Sequence, residues 1–163
     1  MSATDDILRS YRRPRAVMRA HLARPRSEAR ALMFLLIALA MIFIGQWPRL
    51  SRLAHDNPDQ PMVGLMMGTM LALLATVPLF YLLAALGHLG ARLVGGQGDW
   101  YGARVALFWT MLAIAPLMLL QGLVAGLIGP GTQLSVVSIL VFAGFVVFWF
   151  AGLRVAEFER EPA

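Results

Sequence analysis

Apolar residues are concentrated in four blocks, and short polar segments separate each block from the next. Three of the blocks, Met62–Leu86, Val105–Ile128 and Leu134–Leu153, contain no charged side chain, and the shorter block Ala31–Trp47 is equally uncharged. A bilayer core of about 30 Å requires about 20 apolar residues in a helix that rises 1.5 Å per residue. The pattern therefore predicts an all-α fold, a polytopic bundle of four transmembrane helices.

Polar residues gather at the two ends of the chain and divide it into three parts. We expect a basic amphipathic segment over residues 1–28, a transmembrane helical domain over residues 29–154 and a tail over residues 155–163. Of the 163 residues, 59% are hydrophobic, and the mean hydropathy is +0.69, whereas soluble domains contain about 45–50% apolar residues. The absence of cysteine excludes disulfides, thiolate catalysis and iron–sulfur clusters.

The arginines determine the expected orientation, because the chain contains no lysine. Eight of the fourteen precede the first span, and Arg92, Arg104, Arg154 and Arg160 fall on the same side of the predicted topology, which leaves two for the other side. Positive charge accumulates on the cytoplasmic side of membrane proteins. We therefore predict a four-span membrane protein with both termini in the cytoplasm. The first span should remain as an uncleaved signal anchor, since no small-residue cleavage site follows it.

The segment before the first span predicts two short amphipathic helices on the cytoplasmic surface. Pro14 should separate the two helices, Pro25 should interrupt the second, and Ser27 should cap the first spanning helix. Each short helix has one apolar face: Ile7, Leu8 and Tyr11 in the first, and Val17, Met18 and Leu22 in the second.

The arginines of this segment are candidate contacts with membrane lipid or with a docking partner. They are Arg9, Arg12, Arg13, Arg15, Arg19, Arg24 and Arg26. Each arginine near anionic lipid contributes about 1 kcal/mol, so the segment should attach to the anionic inner leaflet. Orientation and anchoring are the simplest interpretation, and partner docking and lipid sensing are the alternatives.

A glycine-rich loop between the second and third spans is the other concentration of polar residues. His88, Arg92, Asp99 and Arg104 are candidates for an interface on the inner side, and the last three are expected to form a local ion-pair network. The glycine spacing matches no nucleotide-binding fingerprint, so we predict a turn between packed helices. The basic residues lie beside membrane spans rather than on a folded basic face, and no nucleic-acid partner is expected.

Glycine and proline mark the expected packing sites inside the membrane. Gly64 and Gly68 in the second span, and Gly122 and Gly126 in the third, have the small-xxx-small spacing that allows two helix backbones to approach closely. All four should lie toward the outer half, where the two motifs can meet within one bundle. Two prolines inside the same spans, Pro78 and Pro116, should kink these helices.

The predicted spans contain no acidic or basic residue at the bilayer midplane, where ion-coupled transporters and proton pumps normally need one. His21, His55 and His88 fall in the tail, the outer loop and the inner interface, so the predicted topology keeps them from forming one metal or haem site. The spans contain neither an acid pair nor a nucleophile with its base. We predict no catalytic residue, no cofactor and no enzymatic activity.

Two stretches carry a resemblance to a known family. GGQGDWYGARVALFWTMLAIAPLML leads from the glycine-rich loop into a span that contains Ala115-Pro116, and FWFAGLRVAEFER closes the last span. With the uncleaved tail and the closely spaced spans, these features resemble the Yip-domain family, named from Ypt-interacting proteins, from about Pro25 to Glu159. The resemblance implies a helical membrane domain without a catalytic motif.

The chain departs from eukaryotic members of that family in two respects. Those members usually have five spans and an Asp-Leu-Tyr-Gly-Pro stretch near the start of the membrane domain. Here four spans are expected, five only if the second block splits at Pro78, and Asp99-Trp100-Tyr101-Gly102-Ala103 stands at a different place. We therefore do not transfer the small-GTPase partners or the role in vesicle traffic.

The leading functional hypothesis is a non-enzymatic scaffold or accessory protein of a bacterial inner membrane. It would pack laterally with a membrane-protein partner or with further copies of itself, and its basic segment would contact lipid headgroups. The alternative is a small transport or channel component that uses the kinked second and third spans. A third and weaker hypothesis is a lipid-modifying enzyme with His88, Arg92 and Asp99 at the inner interface.

Overall fold

The computed structural model describes residues 3–159, and this range contains seven helices and no strand. The prediction of an all-α fold is confirmed. The helices are α1 (Ala3–Ser10), α2 (Pro14–Leu22), α3 (Glu28–Asp56), α4 (Met62–Ala75), α5 (Val77–Leu93), α6 (Trp100–Leu127) and α7 (Thr132–Phe158). Arg160 lies outside the described residues.

Local sequence signals explain where the helices begin. Pro14 stands in the first turn of α2, where its missing N–H costs no hydrogen bond. The side chain of Ser27 accepts a hydrogen bond from the Arg30 backbone N–H at 3.2 Å, and Asp99 accepts one from the Gly102 N–H at 2.8 Å. Both side chains therefore cap the first turn of a spanning helix, as predicted for Ser27.

Four helical segments are long and apolar enough to cross a membrane, as predicted. They cover Glu28–Asp56, Met62–Leu93, Trp100–Leu127 and Thr132–Phe158. The helix that contains the first predicted span continues beyond Trp47, through Pro48 to Asp56. Membrane helices tolerate proline where a neighbouring helix packs against the turn. Here the neighbour is α6, since a Cβ added at Gly126 would lie 2.3 Å from the Pro48 Cβ.

The second span breaks where its proline was expected to kink it. α4 ends at Ala75, the hydroxyl of Thr76 donates a hydrogen bond to the Leu73 carbonyl at 2.6 Å, and Pro78 stands in the first turn of α5. Together α4 and α5 still form one candidate crossing of 32 residues, too short for two crossings at about 20 residues each. Pro116, by contrast, lies inside the uninterrupted helix α6.

The core of the protein lies at one end of the bundle. We call this end, which contains α1, α2, the loop of residues 94–99 and the last turns of α7, the basic end. The first half of α6 runs through it, and every residue from Tyr101 to Ala115 is buried except Arg104. α3, α5 and α7 pack around this half, and α1 and α2 cover the remaining side.

The two small-xxx-small motifs do not meet each other, so that prediction is wrong. Gly122 and Gly126 pack against α3 instead, because a Cβ added at Gly122 would lie 2.1 Å from the Gly45 carbonyl oxygen. The break at Thr76 leaves α4 without a single buried residue. A Cβ added at Gly64 would approach only Pro61, at 3.7 Å, and one added at Gly68 would meet no atom within 4 Å.

Gly122→Ala should therefore destabilise the bundle, whereas Gly68→Ala should not. Both substitutions gain about 1 kcal/mol of helix propensity, but the new methyl at position 122 meets the Gly45 backbone and overpacking of this kind costs about 1–3 kcal/mol or more. Thermal unfolding of the detergent-solubilised protein measures the difference. Equal melting temperatures for the two variants would contradict the close α3–α6 contact.

Candidate functional site at the basic end

Two clusters of contacts at the basic end centre on buried polar side chains and join helices that are distant in sequence. The first, which we call the Trp109 cluster, consists of Asp6, Ser10, His21, Arg24 and Trp109. The second, the Glu157 cluster, consists of His88, Gly98, Trp100 and Glu157. Burying polar groups costs free energy unless they are hydrogen-bonded or paired, so each cluster requires a physical account.

The Trp109 cluster joins the two amino-terminal helices to α6. The indole N–H of Trp109 donates a hydrogen bond to the Ser10 hydroxyl at 3.1 Å, and that hydroxyl donates to the Asp6 carbonyl at 2.8 Å. The ring of His21 packs on Trp109, with 4.1 Å between centroids. The carboxylate of Asp6 lies 3.5 Å from the Arg24 guanidinium. The cluster therefore holds α1 and α2 against the spanning helices.

His21 occupies this cluster as a neutral side chain at neutral pH. Its pKa is lowered to about 4, chiefly by burial and then by the positive charge of Arg24, against an opposing effect of Asp6 and with a smaller contribution from Arg30. Its Nε2 atom is buried, has no hydrogen-bond partner and lies 3.8 Å from the Asp6 carboxylate. Protonation would therefore place a charge among aromatic rings and near two guanidinium groups.

A further contact places α1 alongside the membrane-spanning part of α6. The hydroxyl of Tyr11 donates a hydrogen bond to the Ala113 carbonyl at 2.9 Å. Trp109 and Ala113 lie about 7 and 13 Å along α6 from Arg104 at 1.5 Å rise per residue. α1 and α2 thus form part of the wall of the bundle and do not stand apart from it.

The predictions of an apolar face on α2 and on α1 have different outcomes. In α2, Val17 and Met18 are buried as expected, but against protein, since Met18 approaches Gly152 of α7. In α1, the predicted face is confirmed only in part, because Ile7 packs against the core whereas Leu8 is 65% exposed and the polar residues Asp6 and Ser10 are buried. The hydrogen bonds to Trp109 and the ion pair with Arg24 orient α1, and they outweigh the burial of Leu8.

The Glu157 cluster joins the end of α7 to α5 and the inner loop. Oε1 of Glu157 lies 2.6 Å from Nδ1 of His88, and these side chains are 0% and 1% exposed. The Gly98 backbone N–H donates to the other carboxylate oxygen at 3.1 Å, and Trp100 packs on the His88 ring with 4.4 Å between centroids. A Cβ added at Gly98 would lie 2.4 Å from the Ala156 carbonyl oxygen, so the loop backbone approaches α7 directly.

Two of the inner-loop charges pair across the bundle with residues of the α2–α3 linker and the start of α3. Asp99 pairs with Arg26 at 2.5 Å, and Arg104 pairs with Glu28, while Arg92 is exposed. The network of Arg92, Asp99 and Arg104 among themselves stays a prediction. The pairs with Arg26 and Glu28 form because the α2–α3 linker passes beside the start of α6 and supplies partners of opposite charge.

The remaining predicted site residues lie on the surface of the basic end. Arg9, Arg12, Arg13, Arg15, Arg19 and Arg26 are exposed, and Arg24 is partly buried against Asp6. Arg19 pairs with Glu159 at 2.6 Å. Sequence reasoning missed Trp109 and Glu157 as site residues. The available signal was a carboxylate between Ala156 and Phe158, since an acidic residue in an apolar stretch needs a partner.

The chemistry of both clusters is that of structural attachment. No group of three or more His, Asp or Glu side chains suited to a metal ion occurs among residues 3–159. The carboxylate of Glu157 is engaged by an imidazole and a backbone N–H, and the hydroxyl of Ser10 by an indole and a carbonyl. These bonds link the amino-terminal helices, the inner loop and the end of α7 into one packed unit.

A family model described as the Yip1 domain matches residues 8–162. The chain belongs to the Yip1-domain family. The matched range begins inside α1, so the Yip1 domain of this chain includes α2 with its basic residues as well as the four spans. No curated protein and no solved structure matches the chain. The chain is thus a multi-pass membrane protein of the Yip1-domain family.

Glu157→Ala should destabilise this Yip1 domain far more than Glu159→Ala. Removing one partner of a buried hydrogen-bonded pair costs about 1–3 kcal/mol, because the other polar group is left buried and unsatisfied. The Arg19–Glu159 pair is solvent-exposed, and such pairs contribute about 0–1 kcal/mol. Thermal unfolding in detergent compares the two variants, and Glu157→Gln, which keeps a hydrogen-bonding group, should fall between them. Equal losses in both alanine variants would contradict the assigned burial.

Acidification should loosen α2 from the bundle. The pKa of His21 is lowered to about 4 when α2 is packed and is about 6.5 when the ring is exposed to water, so the exposed state binds more protons between these values. The stability that neutral His21 provides is therefore complete above about pH 6.5 and decreases toward pH 4. Hydrogen exchange of the α2 amides in nanodiscs, measured from pH 7 to pH 4.5, reports this change.

Two variants control for other titrating groups. His21→Phe keeps an aromatic ring beside Trp109 but cannot be protonated, so its α2 exchange should lose most of this pH dependence. His55→Ala changes an exposed histidine at the far end of α3 and should behave as the parent protein. An unaltered pH dependence in His21→Phe would assign the effect to another group.

Proposed function

We propose that this Yip1-domain protein is a non-enzymatic scaffold or accessory protein of a bacterial inner membrane. It packs laterally against a transmembrane helix of another protein through α4. The arginine distribution supports an orientation with the basic end in the cytoplasm. One observation carries the proposal: the chain holds a small-residue helix face that its own fold leaves unused.

That face belongs to the least buried crossing of the bundle. In the most apolar window of Met62–Leu93 only 6% of residues are buried, against 56% for Trp100–Leu127. Gly64, Gly68, Ala72 and Ala75 recur at the spacing of one helix face, and all four are exposed. Lipid tails fill space around large side chains equally well, whereas small residues favour close approach by another helix.

The α3–α6 contact supports this interpretation from within the same chain. Gly122 and Gly126 share the spacing of Gly64 and Gly68, and they bring the α6 backbone against Gly45 and Pro48 of α3. The chain therefore already uses this spacing for close helix packing. The same geometry on α4 is open to a helix from outside.

The position of this face also limits how recognition can occur. At the end opposite the basic end, only residues 57–61 and 128–131 connect the spanning helices. Little surface is available there for a soluble partner. Recognition by contact between helices within the bilayer is consistent with this arrangement.

The matched variants Gly68→Leu and Gly90→Leu test the proposal. Both positions are helical glycines at which an added Cβ would meet no atom within 4 Å, so neither substitution should disturb the fold. We expect Gly68→Leu to release the partner, with a loss of native mass in mild detergent or nanodiscs, whereas Gly90→Leu on α5 should retain it. Gly64→Leu should behave as Gly68→Leu.

The co-purifying chains decide the outcome of this experiment. A stoichiometric second protein that is lost in Gly68→Leu supports the accessory role. A parent mass that is a multiple of the chain alone would make the α4 contact a homo-oligomer interface instead. Unchanged mass in both Gly64→Leu and Gly68→Leu would reject α4 as the packing surface.

A further inference from the structure

A groove of about 1020 Å³ opens on the side of the basic end, between α5 and α7. The α5 wall is made of small residues, Gly87, Gly90 and Ala91, whereas the α7 wall carries the large rings of Trp149 and Phe150. Trp149 fills the space beside Gly87, since a Cβ added at Gly87 would lie 3.1 Å from the Trp149 indole. The groove is therefore a shaped apolar slot along the spanning helices.

Two arginines stand at the basic rim of this slot. Arg15 of α2 and Arg154 of α7 both line it, and both are exposed. No carboxylate in the described part of the chain pairs with either of them. Nearby arginines of the same end differ, because Arg19, Arg26 and Arg104 each pair with a carboxylate of the chain.

The polar and apolar parts of the groove follow the depth of a membrane leaflet. Along α7, Arg154 stands at the rim and Val147 lies about 10 Å farther into the span at 1.5 Å rise per residue. Anionic headgroups and acyl chains are arranged in the same order across a leaflet. A guanidinium presents a planar fork that binds phosphate oxygens in pairs.

We propose that this groove is a binding site for one anionic phospholipid. Arg15 and Arg154 bind the headgroup phosphate, and an acyl chain lies against Gly87 and Gly90 with Trp149 and Phe150 on its other side. Because Arg15 begins α2 while Arg154 belongs to α7, the bound lipid would bridge the amino-terminal segment and the last span. The proposal concerns a different surface from α4 and does not depend on the proposed partner.

Charge and shape together favour a lipid over a partner helix in this groove. A transmembrane helix would leave two unpaired guanidinium groups at the rim unless it also supplied an acid. A lipid meets both requirements, since its phosphate pairs with the arginines and its flexible chain follows an uneven apolar wall. In addition, the membrane leaflet next to the basic end would surround this surface with lipid at all times.

Native mass spectrometry of the full chain tests the site, with phosphatidylglycerol and phosphatidylcholine added to the detergent-solubilised protein. We expect one phosphatidylglycerol to be retained in preference to phosphatidylcholine. The double variant Arg15→Gln/Arg154→Gln should bind phosphatidylglycerol about tenfold more weakly or worse, because each arginine near anionic lipid contributes about 1 kcal/mol. Gly90→Leu should weaken binding of the same lipid by filling the slot.

Two matched controls separate a built site from general attraction to a basic surface. Arg12→Gln/Arg13→Gln removes the same charge from exposed positions at the same end but outside the groove, and it should leave retention unchanged. Gly68→Leu adds the same side chain to α4 and should also leave it unchanged. Partner loss in Gly68→Leu and lipid loss in Gly90→Leu thus report on the two proposals separately.

Three results would overturn the lipid site. Equal weakening by both arginine double variants would make the attraction diffuse. Equal retention of phosphatidylcholine would remove headgroup recognition. Unchanged phosphatidylglycerol binding in Gly90→Leu would place the acyl chain elsewhere.

Discussion

The burial of the first half of α6 is the constraint on which the rest of the structure depends. Residues 101–115 form a helix surrounded on all sides, with Arg104 the one exception to burial, and no membrane lipid can reach its core-facing side chains. At the basic end, the three spanning helices α3, α5 and α7 do not cover the first half of α6 completely. α1 and α2 supply the missing wall, which explains why a strongly basic segment packs against transmembrane helices.

Polar contacts fix the helices of the basic end in place, because apolar burial alone does not favour one helix arrangement in a membrane. Lipid tails are as apolar as protein side chains, so the hydrophobic effect gives helices little reason to prefer each other to lipid. The Trp109–Ser10 hydrogen bond, the His88–Glu157 pair and the Arg26–Asp99 pair have no equivalent in lipid. Each of them therefore favours one arrangement of helices over others that bury a similar apolar area.

The opposite half of the bundle is held differently and less completely. Backbone contact at Gly45 and Gly122 joins α3 to α6, while the break at Thr76 sets α4 apart with no buried residue. The molecule is thus asymmetric, with a closed basic end and an open helix face toward the other end. The proposed helix partner at α4 and the proposed lipid between α5 and α7 occupy the surfaces that this asymmetry leaves available.

Sequence alone determined the four apolar spanning segments, the cap at Ser27 and the start of α2 at Pro14, because these depend on local hydropathy and on backbone geometry and hydrogen bonds within one turn. It could not determine the partners of Gly122, Asp99 or Glu157, because the spacing of a motif does not state which helix lies opposite. The continuation of α3 through Pro48 and the burial of Ser10 also came only from tertiary contacts. The spacing of residues in the sequence indicates which of them are suited to close contact. The packing of helices that are distant in sequence decides which residues they contact.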